Sequence, residues 1–246
     1  MIKSIAFSFA ATFLCVGLAL AAPINQVTPG SLTGTTGLIT FEDVPGGASP
    51  GTNYDGILAF VNGASFAERF VGQSLIHSGG DILGGTPDSP LSLQVGDPSQ
   101  NLNVFLYNNN SNVLDGLGKA PEDSPAAKTI GEGSFAVLFQ YDQSAFGFDL
   151  VGGNIGEAHV SFFTRNGTLI EAITLTGLSN HSYAFTRDGG YRDIAGISID
   201  NNDPAGIAID NLRFTGPVSA VPEPSTSLLL IAGLVGAGLL RKRIRA

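Results

Sequence analysis

The chain has 246 residues, with 12 Lys and Arg against 21 Asp and Glu, a single Cys and no Trp. Residues 1–21 and 222–246 hold five of the basic residues and one acid, so the stretch between them carries seven basic against 20 acidic residues, a net −13. So acidic a surface repels phosphate backbones and excludes nucleic acid as a partner; it suits solubility or a cation such as Ca2+.

The first element is a leader. Lys3 supplies a positive start, Ile5 to Leu20 are almost wholly apolar, and Ala19-Leu20-Ala21 fits the small-x-small pattern of a signal-peptide cleavage site. The small residues at its end, with Pro23 after them, favour cleavage after Ala21 over a retained membrane helix. Cys15 lies inside this leader and follows Leu14, where a lipoprotein box has Ala or Gly. The mature chain therefore has no disulfide, thiol nucleophile or Cys-based metal site.

From Pro23 to Val221 helical periodicity is nearly absent, and short apolar runs bounded by Gly, Pro, Asn and Asp recur. "GLITFEDVP" predicts a first strand with Leu38, Thr40 and Glu42 on one face and Ile39, Phe41 and Asp43 on the other. Further strands are expected around Ile57–Val61, Ser65–Val71, Leu91–Val95 and Leu102–Tyr107, and the Asn- and Pro-rich stretch Asn108–Gly131 reads as a long surface loop. "SFAVLFQYDQSAFGFDL" contains two strands about a turn at Tyr141–Ser144, the second placing Phe146, Phe148 and Leu150 on one face. In "HVSFFTRNGTLIEAITL", Asn166-Gly167 predicts a type I′ hairpin turn. Gly-Ile-x-Ile-Asp-Asn occurs at Gly196–Asn201 and again at Gly206–Asn211; with Asn202-Asp203-Pro204 between, this reads as two strands and a connection. Eleven or twelve strands without helices require two sheets packed face to face. The expected fold is all-β, a jelly-roll-like two-sheet β-sandwich over residues 22–217, with a signal peptide at 1–21 before it.

The last element runs from Ser227 to Leu240, 14 apolar residues with no polar face, short for a transmembrane helix but able to insert with flanking residues snorkelling. Arg241, Lys242 and Arg243, with Arg245, mark the end that stays cytoplasmic, which puts the acidic middle on the other side.

Val221-Pro222-Glu223-Pro224, followed by a short apolar helix and an Arg-rich tail, resembles the PEP-CTERM sorting signal, here residues 218–246. The resemblance implies an exosortase substrate of a Gram-negative bacterium. Such a protein is anchored transiently in the inner membrane, cleaved near the motif and passed outward to the cell surface or extracellular space. Bearers are common in bacteria that make exopolysaccharide, so extracellular polysaccharide and a biofilm matrix are the implied partners. Two prolines flanking Glu223 prevent helix continuation and present an extended segment just outside the bilayer. "ITFEDVP", "FAVLFQYDQSAFGFDL" and "AIDNLRF" also resemble sandwich domains that precede such tails, which implies a fold and an envelope setting, not an activity.

Chemistry is thinner. Gly47-Ala48-Ser49-Pro50-Gly51 matches the hydrolase elbow, but Pro50 lacks the N–H an oxyanion needs and no helix follows. His77, His159 and His181 show no close spacing for zinc. Glu42, Glu157 and Glu171 are the acids from which a glycosidase pair would be drawn. Tyr54, Tyr107, Tyr141, Tyr183 and Tyr191 are the available sugar platforms, while the 16 Phe fit the core. "DNNDPAGIAIDN" fails as an EF-hand, with Pro204 at position five and Asn211 at position 12. Jelly-roll carbohydrate-binding modules, which this domain resembles in fold, often hold a structural Ca2+ by acids of the first and last strands. That resemblance implies Glu42 and Asp210 as metal ligands; the same acids capping strand ends in water is the equal alternative. The sequence thus reads as an exported, non-catalytic surface or extracellular-matrix protein with no catalytic residues. The alternatives are a secreted polysaccharide-acting hydrolase and a self-associating adhesin.

Overall fold

A computed structural model describes residues 23–216 apart from 62, 78–79, 109–110 and 120–128. The expected leader and the whole C-terminal signal, including Val221, Pro222, Glu223, Pro224, Arg241, Lys242 and Arg243, lie outside the described residues. Among those described there is no α-helix, and no helix long and apolar enough to cross a membrane.

The strands in chain order are β1 (Ile24–Val27), β2 (Gly37–Ile39), β3 (Thr52–Tyr54), β4 (Leu58–Phe60), β5 (Ala64–Ala67), β6 (Arg69–Phe70), β7 (Ser74–His77), β8 (Asp81–Gly84), β9 (Leu93–Gln94) and β10 (Leu102–Tyr107). They continue as β11 (Ser111–Gly118), β12 (Thr129–Gly133), β13 (Phe135–Gln143), β14 (Ala145–Gly152), β15 (Glu157–Phe163), β16 (Leu169–Thr176), β17 (His181–Arg187), β18 (Ile194–Asn201) and β19 (Ile207–Phe214). One antiparallel sheet has the order β1-β17-β14-β19-β11-β10-β3, with β12 beside β11 and β2 beside β19; the other has the order β16-β15-β18-β13-β5-β4. The nineteen strands among the described residues exceed the expected eleven or twelve because several are edge pieces of two or three residues, too short to leave a periodic signal.

The two sheets face each other over one core. Alternate residues Phe146, Phe148 and Leu150 of β14 and Phe135, Val137 and Phe139 of β13 are fully or almost fully buried, as period-two strands with one inward face require. Phe139 lies 5.5 Å from Phe214, Phe146 5.5 Å from Phe162 and Phe162 5.4 Å from Phe185, each pair bridging the sheets. Each such ring contributes about 1.5–3 kcal/mol by leaving water. The second sheet is also covered on its outer face: Phe70, Leu91, Ala136, Phe163 and Ala195 form a satellite cluster, which is why β18 is buried along its whole length. Phe70 approaches so closely that a Cβ on Gly196 would meet its ring at 2.7 Å.

Several expected elements change. The strand predicted over "GLITFEDVP" stops at Ile39, because Phe41 takes φ 60° and opens a turn. The stretch read as a loop from Asn108 to Gly131 contains β11, a buried strand in the interior of its sheet, and the start of β12. The β13–β14 pair has only Ser144 between its strands and passes from one sheet to the other. The Asn166-Gly167 hairpin joins β15 and β16 as expected, but its turn is not type I′. Only Gly167 has positive φ, and Gly167 N–H bonds the Thr164 carbonyl while Thr164 N–H bonds that of Thr168. The loop has three residues, Arg165-Asn166-Gly167, and in such a loop the left-handed position is the last, which Gly167 fills, while Asn166 Oδ1 accepts from Thr168 N–H and the Thr164 hydroxyl. The two Gly-Ile-x-Ile-Asp-Asn copies are two strands and a connection, one in each sheet.

Candidate functional site

An extended polar network lies on the outer face of the first sheet, on strands whose alternate residues fill the core. In β19, Ile209 and Leu212 both point inward and are fully buried, so two residues stand between consecutive core positions instead of one. Asn211 accommodates the extra residue with φ 50°, a conformation Asn tolerates better than most, and the register between β14 and β19 shifts here. The bulge brings Asp210 and Asn211 out together beside Asp149, which lies directly opposite Asp210 in the ladder. Arg213 grips both Asp149 oxygens, Nη1 at 3.0 Å and Nη2 at 3.1 Å, while the Ser182 hydroxyl donates at 2.7 Å and Asn211 Nδ2 at 2.9 Å. Burial works against the Asp149 charge, yet these donors outweigh it and hold its carboxyl below the usual range.

Glu42 arrives from the turn after β2. The Phe41 ring is buried against Phe60 and Phe66 of the other sheet, at 5.6 and 5.5 Å, and this anchor offsets the cost of a positive φ on a bulky residue. Asn112 Nδ2 donates to the carbonyls of Phe41 and Val44, clamping the turn. Glu42 Oε1 then accepts from Asn112 N–H at 2.9 Å and lies 2.8 Å from the Ser111 hydroxyl, which is also 2.9 Å from Asp210 Oδ2. A hydroxyl has one proton, so it serves one of these carboxylates while the other faces it acceptor to acceptor unless a proton or cation intervenes. Burial, with Asp149 and Glu42 nearby, raises the Asp210 pKa against the hydrogen bonds from Ser111 and Asn211.

The structure thus brings Glu42 and Asp210 together on one hydroxyl, although Glu42 belongs to a turn rather than a strand face. Their oxygens have the hardness Ca2+ prefers, but two carboxylates and a hydroxyl fall short of its six to eight ligands. Among the described residues no group of three or more His, Cys, Asp or Glu converges to complete the set. The protein's own oxygens fit a hard cation in kind and only partly in number.

The other predicted residues are dispersed. Glu157 opens β15 opposite Thr176, and Glu171 sits opposite Phe162; five residues of hairpin, about 17 Å, separate them, beyond the spacing of a glycosidase pair. Glu171 Oε2 instead accepts from the N–H of Ile24 on the other sheet. Gly47–Gly51 is a turn closed by Gly51 N–H to the Ala48 carbonyl and leads into β3, not a helix. His159 Nδ1 lies 2.7 Å from Asp200 Oδ1, a cross-strand pair set by register; His181 stacks edge-on against Tyr183 at 5.2 Å, and His77 closes β7. Of the tyrosines, Tyr183 is buried in the core, Tyr54 donates to the Pro45 carbonyl, and Tyr141 and Tyr191 are exposed on separate elements. Asn180 Nδ2 reaches the Tyr107 hydroxyl at 3.4 Å, at a shallow cleft of about 530 Å3 lined by Asp149, Asn180, His181 and Ser182. Sequence reasoning missed Ser111, Asn112, Asp149 and Arg213. For the last two the signal was present, since each alternates with core residues.

The strand architecture with an acidic outer network defines an all-β domain followed by a C-terminal segment of different character. That segment, residues 220–244, matches the family model of the PEP-CTERM protein-sorting motif. The chain thus carries a PEP-CTERM sorting motif, which supports export and processing by an exosortase. No curated protein and no solved structure matches it.

Proposed function

We propose that the chain is a non-catalytic component of the cell surface or extracellular matrix, associated with exopolysaccharide and delivered by its C-terminal signal. The sorting motif at 220–244 carries this reading. In it, Pro222, Glu223 and Pro224 form the processed segment, while Arg241, Lys242 and Arg243 hold the tail on the cytoplasmic side until cleavage. Core strands that pass repeatedly from one sheet to the other, as β13 to β14 and β17 to β18 to β19, support classing the sandwich as jelly-roll-like. The shallow cleft that Asp149, Asn180, His181 and Ser182 line together with Pro29, Leu150 and Val151 combines apolar surface with several hydrogen-bonding groups, which suits a sugar chain, and Glu42 with Asp210 is assigned to a structural Ca2+.

Cell fractionation tests the route. With Pro222, Glu223 and Pro224 all changed to Ala, the full-length protein should accumulate in the inner membrane while the parent is shortened and moves outward. Equal processing of the two would overturn the reading.

A further inference from the structure

Of the strands at the ends of the two sheet orders, three are guarded. β1 is four residues long and follows Pro23, whose carbonyl accepts from Asp188 N–H. β3 has three residues and is held to the preceding segment through Thr52 Oγ1 to the Gly46 carbonyl and Tyr54 to that of Pro45. β4 has three residues and runs into a turn closed by Gly63 N–H to the Phe60 carbonyl. The fourth, β16, has eight residues, Leu-Ile-Glu-Ala-Ile-Thr-Leu-Thr, and among the described residues β15 is its one ladder partner. An edge strand leaves the outward N–H and C=O groups of alternate residues unpaired, and proteins usually blunt such edges with Lys, Pro, a bulge or an inward charge. In β16 those devices are confined to the first half: a register shift against Phe162 and Phe163, and the inward Glu171 bonded to Ile24. Ala172–Thr176 has none.

This second half is also self-complementary. Ile173 and Leu175 face the core while Ala172, Thr174 and Thr176 face out. For two copies to join with their core faces on the same side, a residue must lie opposite its own copy. Centring on Thr174 sets Ile173 against Leu175, Ala172 against Thr176 and Thr174 against itself, all favourable cross-strand pairs. The one charge, Glu171, then falls opposite Gly177, where positive φ ends the strand, whereas centring near Ala172 would bring it into the ladder. We propose that β16 pairs antiparallel with β16 of a second copy of this chain about a two-fold axis at Thr174, joining two six-stranded sheets edge to edge. This rests on the sheet topology and the residues of β16 and stands apart from the export route.

The test uses the full chain in mild detergent with Cys15 changed to Ser. Light scattering over a range of concentrations should show two copies per particle for the parent and one for Thr174→Lys, which sets like charges face to face on an exposed position. Thr174→Cys should form a disulfide-linked dimer, since opposed residues lie about 4.5–5.5 Å apart at Cα, within disulfide reach. Ala172→Cys should not, being about 14 Å from its copy. A single copy at every concentration, a dimer that survives Thr174→Lys, or cross-linking at Ala172→Cys as readily as at Thr174→Cys would overturn the proposal.

Discussion

Asp149 and Asp210 stand opposite each other on adjacent strands, yet one carboxyl is held below the ordinary range and its neighbour above it. The difference lies in their partners. Asp149 has a two-pronged guanidinium and two further donors, whereas Asp210 shares one hydroxyl with Glu42. The Asp149 carboxyl therefore gives up its charge less readily than that of Asp210 as pH falls.

Arg213→Gln should expose that repulsion. With both partners partly exposed, the expected loss is about 1 kcal/mol by urea denaturation at pH 7. A lowered folded pKa gives stability that is present above the unfolded value and lost as pH falls through the folded one. The parent and variant should therefore converge in acid, and adding Asp149→Asn should restore part of the loss at pH 7.

Millimolar Ca2+ should raise the melting temperature of the parent by a few degrees and leave a Glu42→Gln, Asp210→Asn double variant unmoved. A parent with no Ca2+ response would remove the assignment of the site to that ion.

Asp115 makes a pH prediction of the opposite sign. It is fully buried between Asn103 Nδ2 at 3.0 Å and Gly131 N–H at 3.1 Å, and burial pushes its carboxyl up to about 8 against both hydrogen bonds. A raised folded pKa means stability that is complete below the unfolded value and is lost as pH rises towards 8, by at most ~1.4 kcal/mol per pH unit. Asp115→Asn should flatten this slope, so that denaturation curves of parent and variant converge or cross on the alkaline side.

Asp203 is fully buried and accepts three backbone N–H groups, from Asn154, Ile155 and Gly156, on one oxygen and that of Ala205 on the other. Burial opposes its charge but these four bonds prevail, and its pKa lies below the usual range. Asp203→Ala orphans four donors and should cost about 3 kcal/mol or more, read as a lower denaturation midpoint and faster proteolysis at 153–156.

The strands most legible in the sequence were those with a single wet face, such as β14, where Phe146, Phe148 and Leu150 alternate with polar or small residues. β11 was illegible for a physical reason. Its buried Asp115 is tolerable only because Asn103 and Gly131 answer it, and Gly116 is needed because a Cβ there would meet the backbone of Gly133 and Ser134 at about 2.5 Å. These are partners on other strands, so the segment alone has the composition of a loop. Glu42 and Asp210 were within reach because both end recognisable apolar runs. That Ser111 would sit between them depends on the Phe41 turn and the Asn211 bulge, which a period of two cannot express.

The place of β19 has a bearing on how such a chain can be exported. The last described strand fills an interior position between β14 and β11, so among the described residues no other ladder joins the two wings of its sheet before Ile207–Phe214 has arrived. Closure waits for nearly the whole domain to be available, and a nascent or half-threaded chain lacks the piece that would lock it. Were the chain to leave the cytoplasm unfolded, this topology would postpone its folding until nearly the whole domain had emerged.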